Sequence, residues 1–144
     1  MTNESTKIPV WFWIVAGLAL AWNLVGCFAY VGQVMMTDEA LAVLPEAERA
    51  LYENVPAWVT AAFAFAVWGG ALGSLLLLLR KKIATPVLIV SAIGITAQLS
   101  YNLFMSKAMD VYGPEGMIMP VMVLVIGLGL IYLSRFATQK NWLR

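Results

Sequence analysis

The chain has 144 residues, of which 62% are hydrophobic and 12% charged, with a net charge of +1 and a mean hydropathy of +0.83. Soluble domains are about half apolar and a quarter charged, so this balance excludes an ordinary water-soluble globule, a disordered chain and a basic nucleic-acid-binding protein. A single Cys excludes a disulfide scaffold, which leaves a small, all-α integral membrane protein of one domain, with no nucleic acid among its partners.

The charges fall into blocks separated by four uncharged runs, each long enough to cross about 30 Å of hydrocarbon as a helix of roughly 20 residues. Lipid offers unpaired backbone groups no partner, and the runs lack the alternation of barrel strands, so each is expected to be helical. The first span is placed at Pro9–Met36 and contains Trp22, Asn23, Cys27 and Gln33. A cleaved signal peptide is the competing reading of this run. The run is too long for an ordinary signal core and lacks a small-x-small cleavage site.

The loop Thr37–Val55 follows. Thr37 before Asp38 and Glu39 is a helix-start signal, Pro45-Glu46 opens a further turn, and Leu41, Leu44, Leu51 and Val55 recur at helical spacing. A short amphipathic helical segment is expected, lying on the membrane, capping the bundle or acting as a ligand lid. The second span, Pro56–Leu79, carries Ala62, Ala66, Gly70 and Ser74 at steps of four, with Gly69 and Gly73 as a second small pair. Such a stripe lets another helix backbone approach closely. The residue types leave open whether the partner is the first span, the third span or a second protomer.

After Arg80-Lys81-Lys82, the third span is placed at Pro86–Ser106, with Thr85 as its N-cap. Ser91, Gln98, Asn102 and Ser106 follow steps of seven, four and four and so share one face. The turn sequence DVYGPEG, residues 110–116, leads into the fourth span, Gly116–Ala137. That span is the most uniformly apolar of the four, with Met117, Met119 and Met122 near its start.

Sorting the charges by loop gives an orientation. Seven basic residues against Glu4 make one side +6, and two basic against seven acidic residues make the other −5. The basic side holds both termini and the 80–82 loop, which places both termini in the cytoplasm by the positive-inside rule. Trp11, Trp13, Tyr132 and Trp142 sit at that boundary, and Trp58 and Tyr112 at the opposite one.

With no His and one Cys, no catalytic triad, imidazole base or thiolate metal site is available, and no catalysis, cofactor or metal is expected. No Asp, Glu, Lys or Arg lies in the interior of the spans, Arg135 standing at the basic end of the fourth, which argues against a proton exchanger built on a buried carboxylate. Asn23 lies about 21 Å along its helix and Gln98 about 18 Å, at 1.5 Å per residue, so the two are expected at similar depth. They either hydrogen-bond between helices and fix register, or they line a polar pocket with Asn102 and Ser91, flanked by Trp22, Tyr30, Trp68 and Tyr101.

The stretches Trp22–Gly26 (WNLVG), Leu44–Trp58, Gly69–Lys82 with its RKK end, and Val111–Met119 (VYGPEGMIM) resemble a family of small bacterial four-span membrane proteins often labelled "sugar transporter". The resemblance implies an inner-membrane transporter or binder of a neutral small solute such as a sugar. At this length one bundle barely surrounds a pathway, so transport calls for a homo-oligomer. The alternatives are a non-transporting membrane scaffold or accessory subunit, and a lipid-binding protein holding its ligand between the helices near Trp68.

Overall fold

The computed structural model describes residues 7–53, 55–105 and 108–144. All regular structure among them is helical, and four of the helices are long and apolar enough to cross a membrane. In chain order these are α1 (Val10–Val34), two short helices α2 (Asp38–Ala42) and α3 (Glu46–Glu53), then α4 (Ala57–Leu78) and α5 (Ala84–Ser100). A π-helical turn, Tyr101–Met105, extends α5, and α6 (Ala108–Tyr112) with a 3₁₀ turn, Pro114–Met117, leads into α7 (Ile118–Gln139). The four spans therefore fall within a few residues of the expected ones, and the expected end of the third at residue 106 lies outside the described residues.

The caps differ in one respect. Pro9 and Pro56 are the N-cap residues of α1 and α4, and the Thr37 hydroxyl accepts from Ala40 N at 3.1 Å to cap α2. Thr85 does not cap α5, which starts one residue earlier behind Ile83. Its hydroxyl donates instead to Ser134 Oγ of α7 at 2.9 Å, because a polar group at that depth finds its partner on the neighbouring helix.

The most extensive contact is between α4 and α5, followed by α1 against α4 and α5 against α7; α1 and α7 have no comparable contact with each other. Small residues explain the order. A Cβ on Gly94 of α5 would lie 2.6 Å from Ala62 O and 2.9 Å from Ala66 N, and one on Gly69 of α4 would lie 3.2 Å from Ser91 Cβ. Ser91 Oγ seals this crossing by donating to Ala66 O at 2.6 Å. On the other side of α4, a Cβ on Gly26 of α1 would lie 2.9 Å from Val67, whose carbonyl accepts from Cys27 Sγ at 3.4 Å. The small-residue stripe of the second span thus meets both the first and the third spans of its own chain. Large apolar side chains such as Leu18, Phe28, Phe65, Ile93, Val125 and Leu128 point outward, consistent with contact with a lipid bilayer.

At the end bearing Arg80–Lys82, the four helices converge on a core of Phe12, Ala16, Leu77, Leu88, Leu133, Ala137 and Trp142. Two helix endings of the same kind close it. Arg80 and Asn141 take left-handed φ values of 60° and 63°. Lys81 N then donates to Leu76 O and Trp142 N to Ala137 O, the six-to-one bond of a Schellman cap. The chain leaving each cap runs beside the other: Lys82 N donates to Arg144 O at 3.0 Å, and Arg144 N to Arg80 O at 2.8 Å. Arg80 Nε donates to Trp142 O at 2.8 Å. The cations past α4 and α7 also sit favourably at helix C-termini.

Replacing Gly94 by Ala should destabilise the fold by about 1–3 kcal/mol, because the obstructing atoms are backbone and cannot step aside. Gly17, where a Cβ meets nothing within 4 Å, should accept Ala with a change of no more than about 0.5 kcal/mol. Unfolding of the two variants in the same detergent makes the comparison.

Candidate functional site

Because α4 and α5 are pressed together while α1 and α7 flank them, the centre of the bundle is left open on the side away from the α4–α5 crossing. A cavity of about 330 Å³ lies there, walled by all four spans. Its polar residues are Asn23 from α1, Ser91 and Gln98 from α5 and Asn102 from the π-helical turn; Trp22, Phe63, Val67, Ile95, Val123 and Ile126 are among its apolar walls. The volume is in the range of a small-molecule site.

Asn23 and Gln98 do reach the same cavity, but they do not bond to each other. Asn23 Nδ2 donates to Ala19 O of its own helix at 2.8 Å and to Ser74 Oγ of α4 at 3.4 Å. The reason is the helix order: α1 packs on α4, and the missing side chain of Gly70 makes room for the Asn23 amide, since a Cβ there would collide with Asn23 Oδ1. Ser91, although in the wall, has its hydroxyl committed to Ala66 O. Among the described residues, the amides of Gln98 and Asn102 make no hydrogen bond. A half-buried amide without a partner carries a desolvation cost of about 1–3 kcal/mol, so these two groups are the cavity's available donors and acceptors.

Toward the acidic end a second hollow, of about 240 Å³, opens above the first. Gln98, Asn102 and Pro120 belong to both walls, which puts the two amides at the junction. Gln33, Tyr52, Tyr101 and Tyr112 supply its polar groups, and Leu51 with Val55 brings the end of the loop segment over it. Burial, and next the nearby charge of Glu48, push the Tyr112 phenol above its ordinary pKa. The loop expected to cap the bundle thus forms one wall of this vestibule.

The flanking aromatics separate. Trp22 lines the cavity. Tyr101 lines the vestibule instead, its ring edge-on to Trp58 with centroids 5.8 Å apart. Trp68 lines neither: it is half-exposed on the outer face of α4, beside Tyr30 at 6.3 Å. A residue two positions before Gly70 on a helix turns about 200° away from it, so Trp68 cannot share the inward stripe. Of the packing residues, Ala66 and Gly70 also border the cavity, whereas Ala62, Gly69, Gly73 and Ser74 serve helix contacts.

Sequence reasoning missed the vestibule, whose Gln33, Tyr52 and Tyr112 come from three separate segments. It also missed a lateral groove of about 730 Å³ between α1 and α7, lined by Trp11, Val15, Leu18, Gly129, Tyr132 and Phe136 among others. The one sequence signal for the groove was Gly129, a glycine on an otherwise apolar span. Comparison with protein-family models, curated proteins and solved structures gives no match.

The Asn23–Ser74 contact can be weighed by a double-mutant cycle with Asn23→Leu and Ser74→Ala. At 3.4 Å it should couple at or below the roughly 0.6 kcal/mol average for such bonds in membranes. A coupling above about 1.7 kcal/mol would mean that this pair, rather than the α4–α5 crossing, sets helix register.

Proposed function

We propose that the chain is a membrane carrier of a small uncharged molecule, held against the amides of Gln98 and Asn102. The observation that carries this reading is two unpartnered amides at the junction of a four-span cavity and a vestibule. The opposite end is packed shut by Phe12, Leu77, Leu88 and Trp142. A site open toward one end and closed toward the other is what alternating access requires of a carrier in one of its states. By the positive-inside rule the closed, basic end faces the cytoplasm of a bacterial inner membrane and the vestibule faces outward. In this reading the chain performs no catalysis, and an oligomer supplies the surroundings that a single small bundle lacks.

The wall chemistry narrows the ligand. Among the described residues no ionisable side chain lines the cavity, so a charged ligand would meet a desolvation cost that these walls do not offset. With the Asn23 Nδ2 group and the Ser91 hydroxyl committed to helix contacts, Gln98 and Asn102 are, among the described residues, the two cavity amides that make no hydrogen bond. A fully hydroxylated sugar would leave most of its hydroxyls against apolar walls, whereas a molecule with one hydrogen-bonding edge and an apolar body is satisfied. The scaffold alternative loses its main support, because the small-residue stripe is used within the chain.

Thermal unfolding of the solubilised protein against neutral metabolites and lipids tests this. One class should raise stability in a concentration-dependent way, by about 2.7 kcal/mol at a hundred times its Kd. The rise should vanish in a Gln98→Leu, Asn102→Leu variant of near wild-type intrinsic stability. No shift with any class, or a shift indifferent to the two substitutions, overturns the reading.

A further inference from the structure

Resting on the reading of the Gln98–Asn102 cavity as a binding site, we infer that its ligand is a membrane-dissolved amphiphile with an uncharged hydrogen-bonding head and a hydrocarbon tail, and that it arrives sideways between α1 and α7. The first ground is the helix order: α1 and α7 lack extensive mutual contact, and the space between them is the lateral groove of about 730 Å³. The second is adjacency. Trp22, Ile126 and Leu130 wall both the groove and the cavity, so a shared partition of side chains separates the two hollows and their rotation would join them.

The third ground is the gradient of polarity. The groove's only side chains with hydrogen-bonding groups are Trp11, Trp22 and Tyr132, and the amides appear only deeper, in the cavity. A ligand matching that gradient places its head at Gln98 and Asn102 and its tail outward along α1 and α7. The fourth ground is room. Gly127 borders the cavity and Gly129 the groove, and a Cβ at Gly129 meets nothing within 4 Å. Among the described residues neither set of walls contains a cation, so these walls offer an anionic head such as a phosphate no neutralising charge, and they suit a hydroxyl, carbonyl or amide head.

The test uses the full chain in phosphatidylcholine nanodiscs and a monoacylglycerol carrying a photoreactive diazirine on its acyl chain. Cross-links should concentrate on residues 11–22 and 126–136. Excess monooleoylglycerol should suppress them, while glycerol should not. Gly129→Leu fills the groove where space is free, and it should cut labelling about tenfold, as should Gln98→Leu with Asn102→Leu, each equivalent to about 1.4 kcal/mol of lost binding. Labelling spread evenly over all outward faces and not competed identifies ordinary surrounding lipid and overturns the inference. Groove residues cross-linked to a second copy of the chain overturn it as well. A water-soluble ligand that binds with unchanged affinity in Gly129→Leu refutes the sideways route while leaving the cavity as a site. Labelling and soluble-ligand binding that both ignore the loss of the two amides refute the cavity reading itself.

Discussion

The close approach of α4 and α5 is the contact on which the rest of the molecule depends. In a bilayer, helices gain little by hiding apolar surface from one another, because lipid tails are as apolar as leucine. What remains is dispersion at short range, and it requires small residues. Gly94 sits where any side chain would strike the backbone at Ala62 and Ala66, Gly69 faces Ser91, and the Ser91 hydroxyl reaches Ala66 O. With the two middle spans locked, α1 can join only the free side of α4 and α7 only the free side of α5. At the basic end Leu130, Leu133 and Ala137 of α7 belong with Phe12 and Ala16 of α1 to one buried core shared with Leu77 and Leu88 of the middle spans.

The cavity is a product of that arrangement rather than a separate construction. Two helices in tight contact and two splayed around them leave a wedge, narrow at the basic end and wide toward the acidic one. Residues that would otherwise be buried in a helix contact then face a hollow. Gln98 and Asn102 are on the α5 face that looks into the wedge. Asn23, one helix further round, has Ser74 within reach and is absorbed into packing. The same amide type therefore plays a structural part on α1 and stays available on α5, and the difference comes from which neighbour each helix touches.

Much of this was legible in the sequence because the deciding physics is local. Charge-free runs fix the spans, Pro9 and Pro56 mark the starts of α1 and α4 and Thr37 that of α2, and the Ala62–Ser74 stripe announces a close helix contact. Asn141 is also a readable signal, since Asn tolerates the left-handed turn that ends α7; Arg80 in the same conformation is not. What stayed hidden depends on which helices are neighbours. An equal-depth argument brought Asn23 and Gln98 together without knowing that α4 stands between their helices. Trp68 was expected among the aromatics flanking the pocket, although helical rotation turns it outward. The π-helical turn at Tyr101–Met105 has no clear compositional mark, yet it carries Asn102.

The uniformly uncharged cavity wall has an electrical consequence. A membrane potential does work only on charge, about 2.3 kcal/mol per elementary charge for each 100 mV crossed. The walls around Gln98 and Asn102 contribute no such charge, and an uncharged occupant adds none. Under the proposed reading, occupancy of this cavity would be insensitive to voltage, and any gradient that fills or empties it would be that of the ligand's own concentration.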